Sequence, residues 1–220
     1  MEAWQEVTPQ APTARVFLLS PVRLDGARAK MLFRPEARFE LALALRTVSG
    51  APIGDAFRFV SGLYFRGKLA YGSRFARSPS GAAWLGSGAL VITHNRGLVP
   101  VETRVCLEHL EAFAQTDLRA GGRDFRAPLE RDAKELATAL SGADEVVLLG
   151  SVASDKYVTP LLDALGDRLV FPQDFVGRGD MSRGGLLLRC VEAGRELAYV
   201  AVRGAVRRGA RPPKLEPRRR

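Results

Sequence analysis

The sequence is poor in cysteine: Cys106 and Cys190 are the only two, and neither has another Cys or His pair at metal-ligand spacing. That argues against a disulfide framework and against a zinc site. His109 follows Cys106 by three residues on an expected helix, yet two candidate ligands do not make a metal site. Free thiols suit a reducing compartment, and a cytoplasmic location is expected. Long apolar runs are missing too. The longest, such as Leu41–Leu45, fall far short of a membrane span, so a soluble chain without membrane partners is expected. Residues 1–14 carry Glu2 and Glu6, have no basic start and no apolar stretch, and so do not read as a secretory signal. Neither GxGxxG nor a Walker loop occurs, and no cofactor is assigned. Paired-carboxylate and Ser/His/Asp motifs are equally absent.

Lysine is scarce as well, supplying five of the 33 basic residues. The net charge of +9 is unevenly placed. From Arg203 onward eight basic residues face Glu216 alone, giving +7 and leaving +2 for the preceding 202 residues. Blocks of like charge often bind polyanions without specificity, and a merely solubilising tail is the alternative. The expected organisation is a leader over residues 1–14, one α/β domain over 15–203 and a basic tail over 204–220. A hydrophobic fraction of 46% and a charged fraction of 26% are ordinary for a globular domain.

What is present alternates between short apolar runs and helical periodicity. Arg15–Ser20, Ala89–Thr93, Glu145–Leu149 and Arg168–Phe171 read as buried strands. Helices are expected over Asp25–Phe33, from Pro35 to Arg46, over Asp55–Ala76 with a break near Ser61-Gly62, and over Val105–Phe113. Two more run from Pro128 to Leu140, after a polar loop Gly121–Ala127, and from Asp155 to Leu165. Gly177–Gly185 reads as a glycine-rich loop. Leu186–Val191 and Glu196–Val202 then read as two strands of a hairpin. The pattern predicts an α/β fold: a mostly parallel central sheet, helices on both faces and a C-terminal antiparallel hairpin.

In such sheets ligands bind beyond the carboxyl ends of the strands. Gly150-Ser151 followed by a helix start with Lys156 has the logic of an anion site, with an ordinary polar βα turn as the alternative. The loop Gly177–Gly185 sets Arg178, Asp180, Ser182 and Arg183 among four glycines, a composition that allows close approach to a ligand. The expected ligand- or phosphate-binding residues are therefore Arg178, Ser182, Arg183, Gly150, Ser151, Lys156 and Asn95. Asp180 and His94 are the catalytic candidates, with a structural role for His94 as the alternative. Tyr64, Phe65 and Tyr71 interleaved with Arg66 and Lys68 fit either a nucleic-acid surface or an amphipathic core helix; the core helix is favoured.

Three stretches carry a family likeness. They are Leu63–Tyr71; Leu90–Thr93 followed by Gly97-Leu98-Val99-Pro100; and Glu145–Gly150 with Tyr157-Val158 and Leu161-Leu162. In this order they resemble the DUF6884 group and, more distantly, the YaaA-type proteins related to the uracil-DNA-glycosylase fold. The likeness spans roughly residues 60–180 and departs at Thr93-His94-Asn95-Arg96, where the family pattern is Ser-Ala-basic-aromatic. It implies an α/β fold and contact with DNA or a nucleobase, and carries over no catalytic residue. The expected function is binding of DNA, RNA or a nucleotide, with action on a nucleobase or phosphorylated ligand. The alternatives are an enzyme on a small nucleotide or sugar phosphate, and a non-enzymatic module that docks through its basic tail. A pocket of perturbed titratable groups would favour an enzyme, and a flat basic face a binding module.

Overall fold

Strands buried on both faces need apolar side chains at every position, and the RVFLL run of β1 (Arg15–Leu19) supplies them from Val16 onward. A computed structural model describes residues 14–116, 122–150 and 152–216. In it β1 is central, paired in parallel with β3 (Ala89–Ile92) on one side and β6 (Glu145–Leu149) on the other. The strand β7 (Leu169–Pro172) extends the parallel set beyond β6. Antiparallel edges close both ends: β4 (Leu98–Pro100) beside β3, and β8 (Tyr199–Ala201) beside β7. The order is therefore β4-β3-β1-β6-β7-β8. A separate two-stranded pair joins β2 (Ala51–Pro52) to β5 (Arg104–Val105).

Successive side chains on a strand point to opposite faces, and the two cores divide accordingly. Phe17, Leu19, Val91, Val147 and Leu149 pack with α1 (Ala27–Phe33), α2 (Glu40–Leu45), α3 (Ile53–Ser61), α4 (Leu63–Phe75), α5 (Leu107–Gln115) and α8 (Asp180–Ala193). Val16, Leu18, Leu90, Ile92, Val146 and Leu148 pack with α6 (Arg123–Ala139) and α7 (Asp155–Leu165). Helices cover both faces, as the alternating pattern predicts. No described helix is long and apolar enough to cross a membrane.

Three sequence expectations are corrected. Gly177–Gly185 is not one loop: α8 begins at Asp180, and Leu186–Val191 continues that helix instead of forming a strand. The helix ends at Gly194, whose φ of 61° supplies the left-handed cap. The C-terminal antiparallel pair is real, but β8 takes β7 as its partner, not Leu186–Val191. The glycines deceived because they serve packing. A β-carbon on Gly184 would lie 2.8 Å from the Leu63 carbonyl oxygen, so α8 meets α4 backbone to backbone. Gly121–Ala127 is not all loop either. The helix α6 starts at Arg123, ahead of Pro128, because Phe125 is buried edge-on to Tyr157.

The tail segment 204–216 has no helix or strand and lies along the body. Arg207 pairs with Asp155 at 3.2 Å, and the Arg178 guanidinium donates to the Pro213 carbonyl at 3.4 Å.

Candidate functional site

The chain leaves β1 for β3 on one side and later returns to β6 on the other. Between the carboxyl ends of β1 and β6 lies the topological switch point, where open α/β sheets form their ligand crevice. Gly150 makes the ends converge, since a β-carbon there would stand 2.7 Å from that of Ser20. Two clefts of about 470 Å³ each open at this place. They share Pro21, Val22, Arg23, Lys156 and Tyr157. One continues to His94 and Phe113, the other to Ser20, Tyr64, Lys68 and Asp180.

Tyr64 and Lys68 stand four residues apart on α4 and so share one helix face. Lys68 is 2% exposed. Its Nζ donates to the Ser20 carbonyl at 2.6 Å and to Ser20 Oγ at 2.9 Å. The ammonium lies 4.6 Å from the Tyr64 ring centroid and 5.0 Å from that of Phe65. Burial pulls the Lys68 pKa down to about 7; Asp180 opposes this and Arg183 adds to it. Burial likewise pushes the Tyr64 hydroxyl well above its ordinary value. That hydroxyl faces the Arg183 guanidinium but has no well-formed hydrogen bond.

Lys156, in the first turn of α7, lines both clefts with its ammonium 4.9 Å above the Tyr157 ring. Tyr157 is buried, which pushes its pKa up to about 12. Arg23 is exposed at the rim and ion-paired with Asp25 at 2.5 Å. Two cations, Arg23 and Lys156, thus border a space that Lys68 also lines and in which Asp180 is the acidic lining residue.

The residues expected from sequence are only partly assembled. Lys156 and Asp180 line one cleft together, and Gly150 lets the end of β6 approach Ser20, which lines the same cleft. Arg183 is buried behind the cleft, its Nε and Nη2 donating to the Phe175 carbonyl at 3.2 and 2.8 Å. It stands 3.8 Å from Asp180 and braces Tyr64 instead of reaching solvent. Arg178 turns toward Ser182 Oγ and the tail, and neither Arg178 nor Ser182 lines the clefts. Asn95 ties the end of β3 to α5 through the Ala112 carbonyl and Thr116 Oγ1, beside a different cleft. Ser151 lies outside the described residues.

His94 is buried in the wall of the second cleft, stacked on Phe113 at 5.5 Å and edge-on to Phe57. Burial pulls its pKa down to about 4; the Val22 backbone opposes this and the Lys156 charge adds to it. The imidazole is neutral at pH 7, with a buried, unpartnered Nδ1. His109 belongs to local structure: its Nδ1 accepts from the Cys106 backbone N–H at 3.2 Å and caps α5. Among the described residues no three His, Cys, Asp or Glu side chains cluster as metal ligands would.

Ser20, Arg23, Tyr64, Lys68 and Tyr157 line the clefts but are not among the site residues chosen from sequence, although Ser20–Arg23 and Tyr157 follow strand ends where a ligand is expected. One signal was there for Lys68. Tyr64, Lys68, Tyr71 and Phe75 recur at helical spacing, so a cation sits inside a buried aromatic stripe where an apolar residue belongs.

Fold and site together define an open, doubly wound α/β protein with a cationic switch-point crevice. Comparison with protein-family models, with curated proteins and with solved structures gives no significant match.

Proposed function

We propose that the chain binds a small phosphorylated ligand, a nucleotide or sugar phosphate, in the crevice between β1 and β6 and acts on it there. The observation that carries this reading is the convergence of Lys156 and Arg23 on a concave space at the switch point, with Lys68 in its wall. A flat basic face would instead suit a duplex. Lys156 lies at the N-terminal end of α7, where the helix dipole adds to its charge toward an anion. Asp180 offers an acceptor for a sugar or base hydroxyl or amine. The aromatic lining, Tyr64 and Tyr157 in one cleft and Tyr157, His94 and Phe113 in the other, suits a planar base.

Calorimetric titration with nucleoside monophosphates and sugar phosphates, each against its dephosphorylated form, tests the reading. Phosphorylated members should bind preferentially, and Lys156→Ala should weaken them by about 1–3 kcal/mol, the range of a charge-assisted contact. Equal binding of phosphorylated and dephosphorylated forms, or unchanged binding by the variant, would refute it.

A further inference from the structure

We propose that Ser20 is a nucleophile and Lys68 its general base, a serine–lysine pair for acyl transfer in the crevice at the end of β1. Lys68 Nζ meets two oxygens of one residue, the Ser20 carbonyl at 2.6 Å and Ser20 Oγ at 2.9 Å. A carbonyl oxygen can only accept, so it takes an N–H and fixes the amine. A hydroxyl can also donate, and a neutral amine has a lone pair left to receive its proton. That is the geometry in which a base activates a serine. Both residues line the crevice. Among the described residues no ion pair includes Lys68. Burial places the amine near neutrality; Asp180 and Arg183 on α8 act on it with opposite signs. Tyr64 on its own helix contributes a ring face, and Arg23 and Lys156 border the same space.

The substrate class is a small carboxylic ester bearing a negative charge. Ser20 Oγ attacks the acyl carbon as its proton passes to Lys68 Nζ. The tetrahedral adduct collapses, the bond from carbon to the alkoxy oxygen breaks, and that oxygen takes the proton from Lys68. Water, deprotonated in turn by Lys68, then hydrolyses the acyl-serine, releasing the carboxylate and restoring the hydroxyl. Lys156 and Arg23 provide positive charge for the anionic substrate and the developing oxyanion.

The pair stands on Ser20 and Lys68 alone: if phosphorylated ligands fail to bind while Ser20 is reactive, only the earlier reading falls. A tagged alkyl fluorophosphonate is the probe, forming a phosphorus–oxygen bond to serine with loss of fluoride. Intact mass and peptide mapping of the full chain should show one adduct, on Ser20, and none on Ser20→Ala. Labelling should accelerate as pH rises through about 7. In Lys68→Arg, which keeps a donor for the Ser20 carbonyl but cannot act as a base, labelling should slow at least 50-fold. Circular dichroism verifies that this variant is folded; if it is not, the wild-type pH profile decides. No adduct on Ser20, a flat pH profile, or an undiminished rate in folded Lys68→Arg would overturn the assignment.

Discussion

Gly67 of α4 faces Gly184 of α8 so closely that a β-carbon on Gly67 would stand 2.7 Å from the Gly184 carbonyl oxygen. The two helices touch through backbone, and this contact holds Tyr64 and Lys68 on α4 against Asp180 and Arg183 on α8. Gly184→Ala should force the helices apart and cost about 1–3 kcal/mol, as overpacking in a tight interior does. Chemical denaturation measures this. Gly179→Ala, where a β-carbon meets nothing within 4 Å, is the control and should change stability far less.

Lys68 makes stability depend on alkaline pH. Its pKa falls from an ordinary 10.5 when unfolded to about 7 when folded. Between those values the unfolded chain binds more protons, so the Lys68 contribution rises with pH from about 7 to about 10.5 and is constant below about 7. Lys68→Met should lose this dependence. Melting temperatures of both proteins over that range should diverge in favour of the wild type as pH increases. Parallel curves would show that Lys68 is not buried as described.

The described part of the basic tail packs against the body. A β-carbon on Gly177 would stand 2.0 Å from the Ala210 carbonyl oxygen, and Arg207 reaches Asp155 at the start of α7. Deleting residues 204–220 should therefore lower the melting temperature by roughly 3–6 °C, corresponding to about 1–2 kcal/mol for a chain of this size. An unchanged melting temperature would show that these contacts carry no stability.

Much of the architecture was legible in sequence because it is local. The runs at Val16–Leu19, Ala89–Ile92 and Val146–Leu149 admit no solvent-facing side, and they form the centre of the sheet. The break near Ser61-Gly62 separates α3 from α4 as its turn chemistry predicts. Lys156 was placed at a helix start because a helix following a strand is a local signal too. Gly177–Gly185 was misread for the same reason: glycine in a sequence indicates conformational freedom, whereas Gly184 is there to make room for α4, a neighbour more than a hundred residues earlier.

Strand order, and with it the position of the crevice, came only from the tertiary structure. Which strands flank β1 is decided by hydrogen bonds between segments distant in the chain, and residue pattern does not encode partners. Lys68 shows the same division within one residue. Sequence alone set it on the apolar stripe of a helix; folding brought the end of β1 against that stripe and gave the amine two oxygens of Ser20 in place of water. Burial without a directly paired carboxylate then lowers its proton affinity, Asp180 opposing this only in part, because a charge removed from water is costly unless an opposite charge answers it.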